Sequence, residues 1–219
     1  RKVFPDYNPY TIKRCNDCDL AKGKFGKADA NELCAGCALL RNCMDSAGCI
    51  TDKEFGRRLL ISKQADQSEI ELNTEAARIL LRNFPDMHIK IREHITDGRK
   101  NPEYLINGKK ADRKGIHGVN GVTSGFKKAI EQECKVVVID LNEHMGDKKM
   151  QSHKLAGELA NRYLDFHSNI ISGCYVIYLD KAAFLNVEDM PTNPALKKGE
   201  DKGIRKQHII SILDKIATP

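Results

Sequence analysis

Asn101-Pro-Glu-Tyr-Leu-Ile-Asn-Gly-Lys-Lys-Ala-Asp-Arg-Lys114 is the stretch whose reading decides the fold. Its centre, Asn107-Gly108, is a strong hairpin signal, because a type I′ turn needs positive φ at both central residues. Tyr104-Leu105-Ile106 runs into the turn, and Lys109 to Lys114 runs out of it. On the outgoing strand Asp112 and Lys114 stand two apart, so their side chains project from the same face. Glu103 enters beside them from the paired strand. Two carboxylates and an ammonium at a strand end suit a divalent ion and a phosphodiester. Carboxylate oxygens favour a hard cation. Such a cation polarises a phosphoryl group and acidifies a bound water, while the ammonium offsets developing negative charge.

Working outward, Ala76, Ala77, Leu80, Leu81 and Phe84 recur at helical spacing upstream of the hairpin, and Pro85 ends the pattern. Asn73 or Thr74 is the expected cap. Met87, Ile89 and Ile91 alternate in a first strand, and a charged loop follows to Lys100. Phe55 to Ser68 is basic and mixed, and reads as a linker or short helix. Downstream, Gly115 to Gly121 is a glycine-rich loop carrying His117, a candidate phosphate contact. A helix is expected from Thr123 or Ser124 through Cys134. Val136 to Leu141 is a continuous apolar run, hence a strand buried on both faces. Asp147 to Phe166 reads as one long helix, Ile170 to Leu179 as a second buried strand, Ala182 to Gly203 as loop, and Ile204 to Ile216 as a closing helix. The order is that of an α/β domain, a mixed sheet flanked by helices.

Residues 1–55 differ from the rest. Of the eight cysteines, Cys15, Cys18, Cys34, Cys37, Cys43 and Cys49 lie there, among few apolar residues. Cys15-x-x-Cys18 and Cys34-x-x-Cys37 are separated by fifteen residues, a spacing that brings four thiolates to a structural Zn²⁺. A segment this poor in hydrophobes needs such a staple. An iron–sulfur cluster and a disulfide framework are the alternatives, and Cys43 and Cys49 are left over by the zinc reading. Cys134 and Cys174 sit in apolar surroundings as buried thiols. The division is therefore a small N-terminal Cys-rich module over 1–55 and a larger domain over 56–219.

Tryptophan is absent from the 219 residues, so the core is aliphatic, and the net charge of +6 suits a nucleic-acid partner. No signal peptide or long apolar run is present, which predicts no membrane span. The opening Arg1 predicts a C-terminal piece of a longer protein.

The run Pro102 to Lys114, then Gly125-Phe-Lys-Lys-Ala-Ile-Glu-Gln132, then Val136-Val-Val-Ile-Asp-Leu141, resembles the PD-(D/E)xK nuclease superfamily. Within it, the pattern is similar to the nuclease-like C-terminal domains of phage Mu F-like minor head proteins and of contact-dependent growth inhibition toxins, over about residues 70–180. The resemblance implies a restriction-endonuclease-like core, with Glu75, Glu103, Asp112, Lys114 and Gln132 at the family's site positions. Glu103 stands where Asp is usual, and Asp112 where Glu is common. Glu103 and Asp112 would hold Mg²⁺ or Mn²⁺, Glu75 would join them from the preceding helix, Lys114 would stabilise the charged transition state or help deprotonate the water, and Gln132 would orient the site. The implied activity is hydrolysis of tRNA or DNA by a toxin, effector or phage-associated domain. It would act in the cytoplasm of a host or of a target cell, and a toxin would have a cognate immunity protein. The second expectation is a catalytically inactive structural or nucleic-acid-binding part of a phage head protein.

Overall fold

The computed structural model describes residues 49–95, 100–145 and 149–217, without the side chains of 144 and 145. The knuckles Cys15, Cys18, Cys34 and Cys37, the zinc reading placed on them, and Cys43 lie outside the described residues.

The chain forms one eight-stranded mixed sheet in which spatial order equals chain order. The strands are β1 (Cys49–Asp52), β2 (Gly56–Ser62), β3 (Ile89–Ile91), β4 (Tyr104–Ile106), β5 (Lys109–Gly115), β6 (Val136–Asp140), β7 (Gly173–Tyr178) and β8 (Lys181–Leu185). Pairs β2–β3, β5–β6 and β6–β7 are parallel, and the remaining neighbours are antiparallel. The helices are α1 (Ile70–Asn83), α2 (Gly121–Glu131), α3 (Asn142–Met145), α4 (Ser152–Ala160), α5 (Tyr163–His167) and α6 (Lys198–Ala217). This is the expected α/β class, a mixed sheet flanked by helices.

Strand alternation sorts the core onto two faces. Ala111, Val136, Val138, Tyr175 and Ile177 pack with the Ala76, Ala77, Leu80 and Leu81 stripe of α1. Their neighbours Val137, Ile139, Cys174 and Val176 pack on the other side with Phe126 of α2, Leu155 and Leu159 of α4, and Ile209 and Leu213 of α6. The α1 helix touches β2 and β3 and also β7 and β8, and Asn83 Nδ2 donates to the Asp180 carbonyl at 2.9 Å. One helix reaches both halves of the sheet only because the sheet coils around it.

The hairpin forms as its turn chemistry requires. Asn107 and Gly108 adopt φ of 46° and 77°, and Tyr104 pairs with Ala111. The Asn107 amide and side chain both tie back to His88, at 2.9 Å each, so the same residue that makes the turn also sets the register of β3.

Several expectations are corrected. Phe55 to Ser68 is not a linker or short helix but contains β2. Its charge is not a sign of solvent, because Arg58 Nη2 donates to the carbonyls of Leu81 and Phe84 at 2.8 and 3.0 Å, satisfying the end of α1. Helix α1 starts a turn before Asn73 and Thr74, with Glu69 at the N-cap position, and Asn73 is buried. The long helix expected over Asp147 to Phe166 is broken at Asn161-Arg162 into α4 and α5. The segment after Ala182 opens not as loop but within β8, which hairpins onto β7 through Leu179 at φ of 53°. Strand β1 starts at Cys49, so the last residues of the segment read as the Cys-rich module are part of the sheet. Cys134 and Cys174 are both buried, and burial pushes the Cys134 thiol up to about 12.

Candidate active site

Cross-strand pairing brings Glu103 and Asp112 together. Tyr104 lies opposite Ala111 with both side chains on the α1 face, so the adjoining pair, Glu103 and Asp112, turns to the α2 face. Lys114 follows two residues on from Asp112. Its Nζ stands 2.7 Å from Asp112 Oδ2, with Asp112 almost wholly buried. The Glu103 carboxylate accepts a hydrogen bond from the Arg113 amide at 3.1 Å. Asp112 accepts one from the Glu103 backbone.

The electrostatics of the pair are those of crowded carboxylates. Burial first, and then the neighbouring Asp112 charge, push Glu103 up to about 8. Burial also raises Asp112, and the Lys114 ammonium works against that rise. Asp112 Oδ2 is buried, and its close partner is the Lys114 ammonium at 2.7 Å.

Beneath these groups, on the opposite face of β5, lies Arg113, with its side chain 2% exposed. Nε donates to Asn73 Oδ1 at 2.7 Å, and Nη1 donates to Asp140 Oδ2 at 3.2 Å and to Glu143 Oε2 at 2.5 Å. Tyr104 Oη donates to the Asn73 carbonyl at 2.8 Å. Burial opposes the Arg113 charge, but Tyr104, Glu143, Glu103 and Asp140 around it outweigh that, and the guanidinium is held above its ordinary value. Arg113 thus ties α1, β5, β6 and α3 together under the site. A Cβ at Gly115 would overlap the Glu143 carboxylate and so push it off Arg113.

Of the acids expected on α1, Glu75 is not at the site. It is more than half exposed and pairs with Arg78 and Arg82 at 3.9 and 3.7 Å. The acid that α1 does bring is Glu69, at the N-cap. Its carboxylate lies 3.6 Å from Arg113 Nη2 and close enough to Glu103 and Asp112 to raise both. Gln132 lies at the C-cap of α2. Its Oε1 accepts from the Asn101 amide at 2.7 Å and so fixes the segment that delivers Pro102 and Glu103. Glu69 escaped the sequence reading because the helix start was placed four residues late. Arg113 escaped it because a charged residue between Asp112 and Lys114 reads as solvent-facing.

Lys114 is braced by α2. A Cβ at Gly125 would stand 3.4 Å from Lys114 Cβ, so the bare glycine lets the helix lie on the lysine stem. Beyond Lys114, a cavity of about 740 Å³ opens between the Gly115–Gly121 loop, α2 and the start of α4, and His117 is on its wall.

Among the described residues, no three His, Cys, Asp or Glu side chains are disposed around a common point as a metal ion requires. Glu103 and Asp112 fit a divalent cation by chemistry, as hard oxygen ligands side by side on one face of the hairpin.

Comparison of the chain with protein-family models, with curated proteins and with solved structures returned no match. Among the described residues, no helix is long and apolar enough to cross a membrane.

Proposed function

We propose that the chain is a metal-dependent nuclease of the PD-(D/E)xK type, cutting phosphodiester bonds in tRNA or DNA. The observation that carries this reading is the meeting of Glu103, Asp112 and Lys114 on one face of the β4–β5 hairpin, with Lys114 Nζ 2.7 Å from Asp112 Oδ2. The element order α1-β3-β4-β5-α2-β6 supports it, since it is the order the resemblance implies.

Glu103 and Asp112 would hold Mg²⁺ or Mn²⁺, with Glu69 taking the place expected of Glu75. The bound cation would polarise the phosphoryl group and acidify a water. The residues supply the rest. Glu103 must lose its proton to bind, and the crowding that pushes it to about 8 is relieved by a positive ion between the carboxylates. The Lys114 ammonium moves from Asp112 to the phosphodiester, where it offsets charge developing on the non-bridging oxygens. Gln132 acts by holding Asn101, and through it Glu103, in place. A toxin, effector or phage-associated setting, with an immunity protein as partner in the first case, is the biological context this reading favours.

Plasmid DNA and total tRNA incubated with the purified chain and Mg²⁺, Mn²⁺ or EDTA test it. Cleavage is expected with a divalent ion, absent in EDTA and absent in Lys114→Ala. Cleavage that Lys114→Ala leaves intact would remove this site from the reaction.

A further inference from the structure

We infer that the cavity beyond Lys114 is the seat of an unpaired nucleotide, so that the substrate enters as a single strand or as an extruded base and not as intact duplex. The inference rests on the proposed nuclease reading for its link to cleavage. The evidence for the pocket itself is separate.

Lys114, Lys128, Lys149 and Lys154 line the cavity, and no Asp or Glu among the described residues does. Some lysines elsewhere sit beside carboxylates, Lys100 and Lys110 with Glu133 and Lys127 with Glu131. Lys128, Lys149 and Lys154 make no ion pair among the described residues, and all three are exposed at the rim. A concavity ringed by unneutralised ammonium groups selects for a polyanion. Its position also fits. It lies past the carboxyl ends of the parallel strands β5 and β6, where α/β sheets bind ligands, and the positive end of α2 adds to the same field.

The walls decide between strand forms. Ile116, Val119, Leu141, Met150 and Leu155 form the interior, and Ile116, Leu141 and Leu155 belong to the core itself. A duplex laid across the rim would offer the lysines its phosphates but would leave the cavity, with part-exposed Val119 and Met150 in its wall, unfilled. An unpaired nucleotide covers it with a base or sugar while its phosphates remain among the lysines. The volume of about 740 Å³ is that of a small-molecule pocket, within the roughly 300–1,000 Å³ such sites occupy. It is large enough for a nucleotide and far too small for a double helix. Lys114 lines the cavity and pairs with Asp112, so a phosphate held at Lys114 adjoins the carboxylate cluster without entering it.

The test is binding in EDTA, where cleavage plays no part. Fluorescence anisotropy with a labelled oligothymidylate, and with the same strand annealed to oligodeoxyadenylate, is measured for the wild-type chain, for Lys128→Ala/Lys154→Ala, and for a control that removes the same charge elsewhere, Lys63→Ala/Lys127→Ala. The single strand is expected to bind more tightly than the duplex and to be displaced by thymidine monophosphate but not by thymidine. The Lys128→Ala/Lys154→Ala variant is expected to weaken single-strand binding on the order of tenfold and to reduce the slope of log K against log salt by about 1.4, for two lost phosphate contacts at about 0.7 each. The control is expected to do neither. Equal binding of both strand forms, or equal loss in the two double variants, overturns the inference. If the expected binding pattern appears but no cation gives cleavage, the pocket stands and the nuclease reading falls. If cleavage occurs and the binding pattern does not, the reverse holds.

Discussion

Lys114 Nζ and Asp112 Oδ2 lie 2.7 Å apart on one face of β5, the aspartate buried and the lysine about one-fifth exposed. The lysine therefore has a structural as well as a chemical role. Lys114→Met leaves a buried carboxylate with less compensation and is expected to destabilise the fold by about 1–3 kcal/mol. Asp112→Asn combined with Lys114→Met removes both charges and is expected to recover much of that loss in a urea unfolding midpoint. Neither variant is expected to cleave nucleic acid, so the two measurements separate stability from activity.

The Glu103 carboxyl, pushed up to about 8, gives the metal-free protein a pH-dependent stability. An unfolded glutamate loses its proton near its ordinary value of 4.5, whereas the folded one keeps it until about 8. The folded state binds the extra proton between those values, so stability falls as pH rises through that window. Thermal unfolding in EDTA across the window is expected to show this decline. Glu103→Gln is expected to flatten it, and the remaining slope belongs to Asp112 and Asp140, which burial raises as well. A slope unchanged in Glu103→Gln would contradict the assignment. Mg²⁺ or Mn²⁺ is expected to raise the midpoint more at pH 8 than at pH 6, because binding must displace that proton.

Arg113 carries hydrogen bonds to Asn73, Asp140 and Glu143 from within the core. Arg113→Met is expected to cost about 3–5 kcal/mol, the range for removing one partner from a buried charge network. Chemical denaturation measures it. Replacing Glu75, which is exposed on α1, is expected to shift stability by less than about 0.5 kcal/mol.

The proposed reaction distinguishes Glu69, at the N-cap of α1, from Glu75 within the helix. Glu69→Ala is expected to raise the Mn²⁺ concentration needed for half-maximal cleavage, and Glu75→Ala to leave it unchanged. The opposite result would return the helix acid to Glu75.

Gly125 lies against the Lys114 stem. Gly125→Val drives a branched side chain into that stem and is expected to slow cleavage on the order of a hundredfold, the scale of a small misplacement of a catalytic group. Gly125→Ala meets Lys114 at 3.4 Å, a gap the flexible stem accommodates, and is expected to stay within about tenfold of wild type. Cleavage rates at saturating cation distinguish the two.

What could be read from the sequence follows from how local each determinant is. The hairpin was legible because Asn107-Gly108 enforces its own turn, and the shared face of Asp112 and Lys114 because strand alternation needs nothing beyond two-residue spacing. The buried strand Val136–Asp140 was legible from its unbroken apolar run. Strand β2 was not, because Arg58 hides among charges until its acceptors on α1 are in place. Arg113 was not, because its partners come from residues 73, 140 and 143, and nothing in the local pattern of β5 distinguishes it from a solvated arginine. Glu69 was missed because polar Asn73, which resembles a cap, is in fact a buried acceptor for Tyr104 and Arg113.

The strands lie across the sheet in the order in which they occur along the chain. Each new strand can therefore dock onto an edge that is already waiting, and no paired neighbours have to separate to admit a latecomer. Synthesis from the amino end would build the sheet outward like courses of brick. The acid-bearing hairpin would be complete before β6 emerged to cover its flank, and β8 would close the edge last.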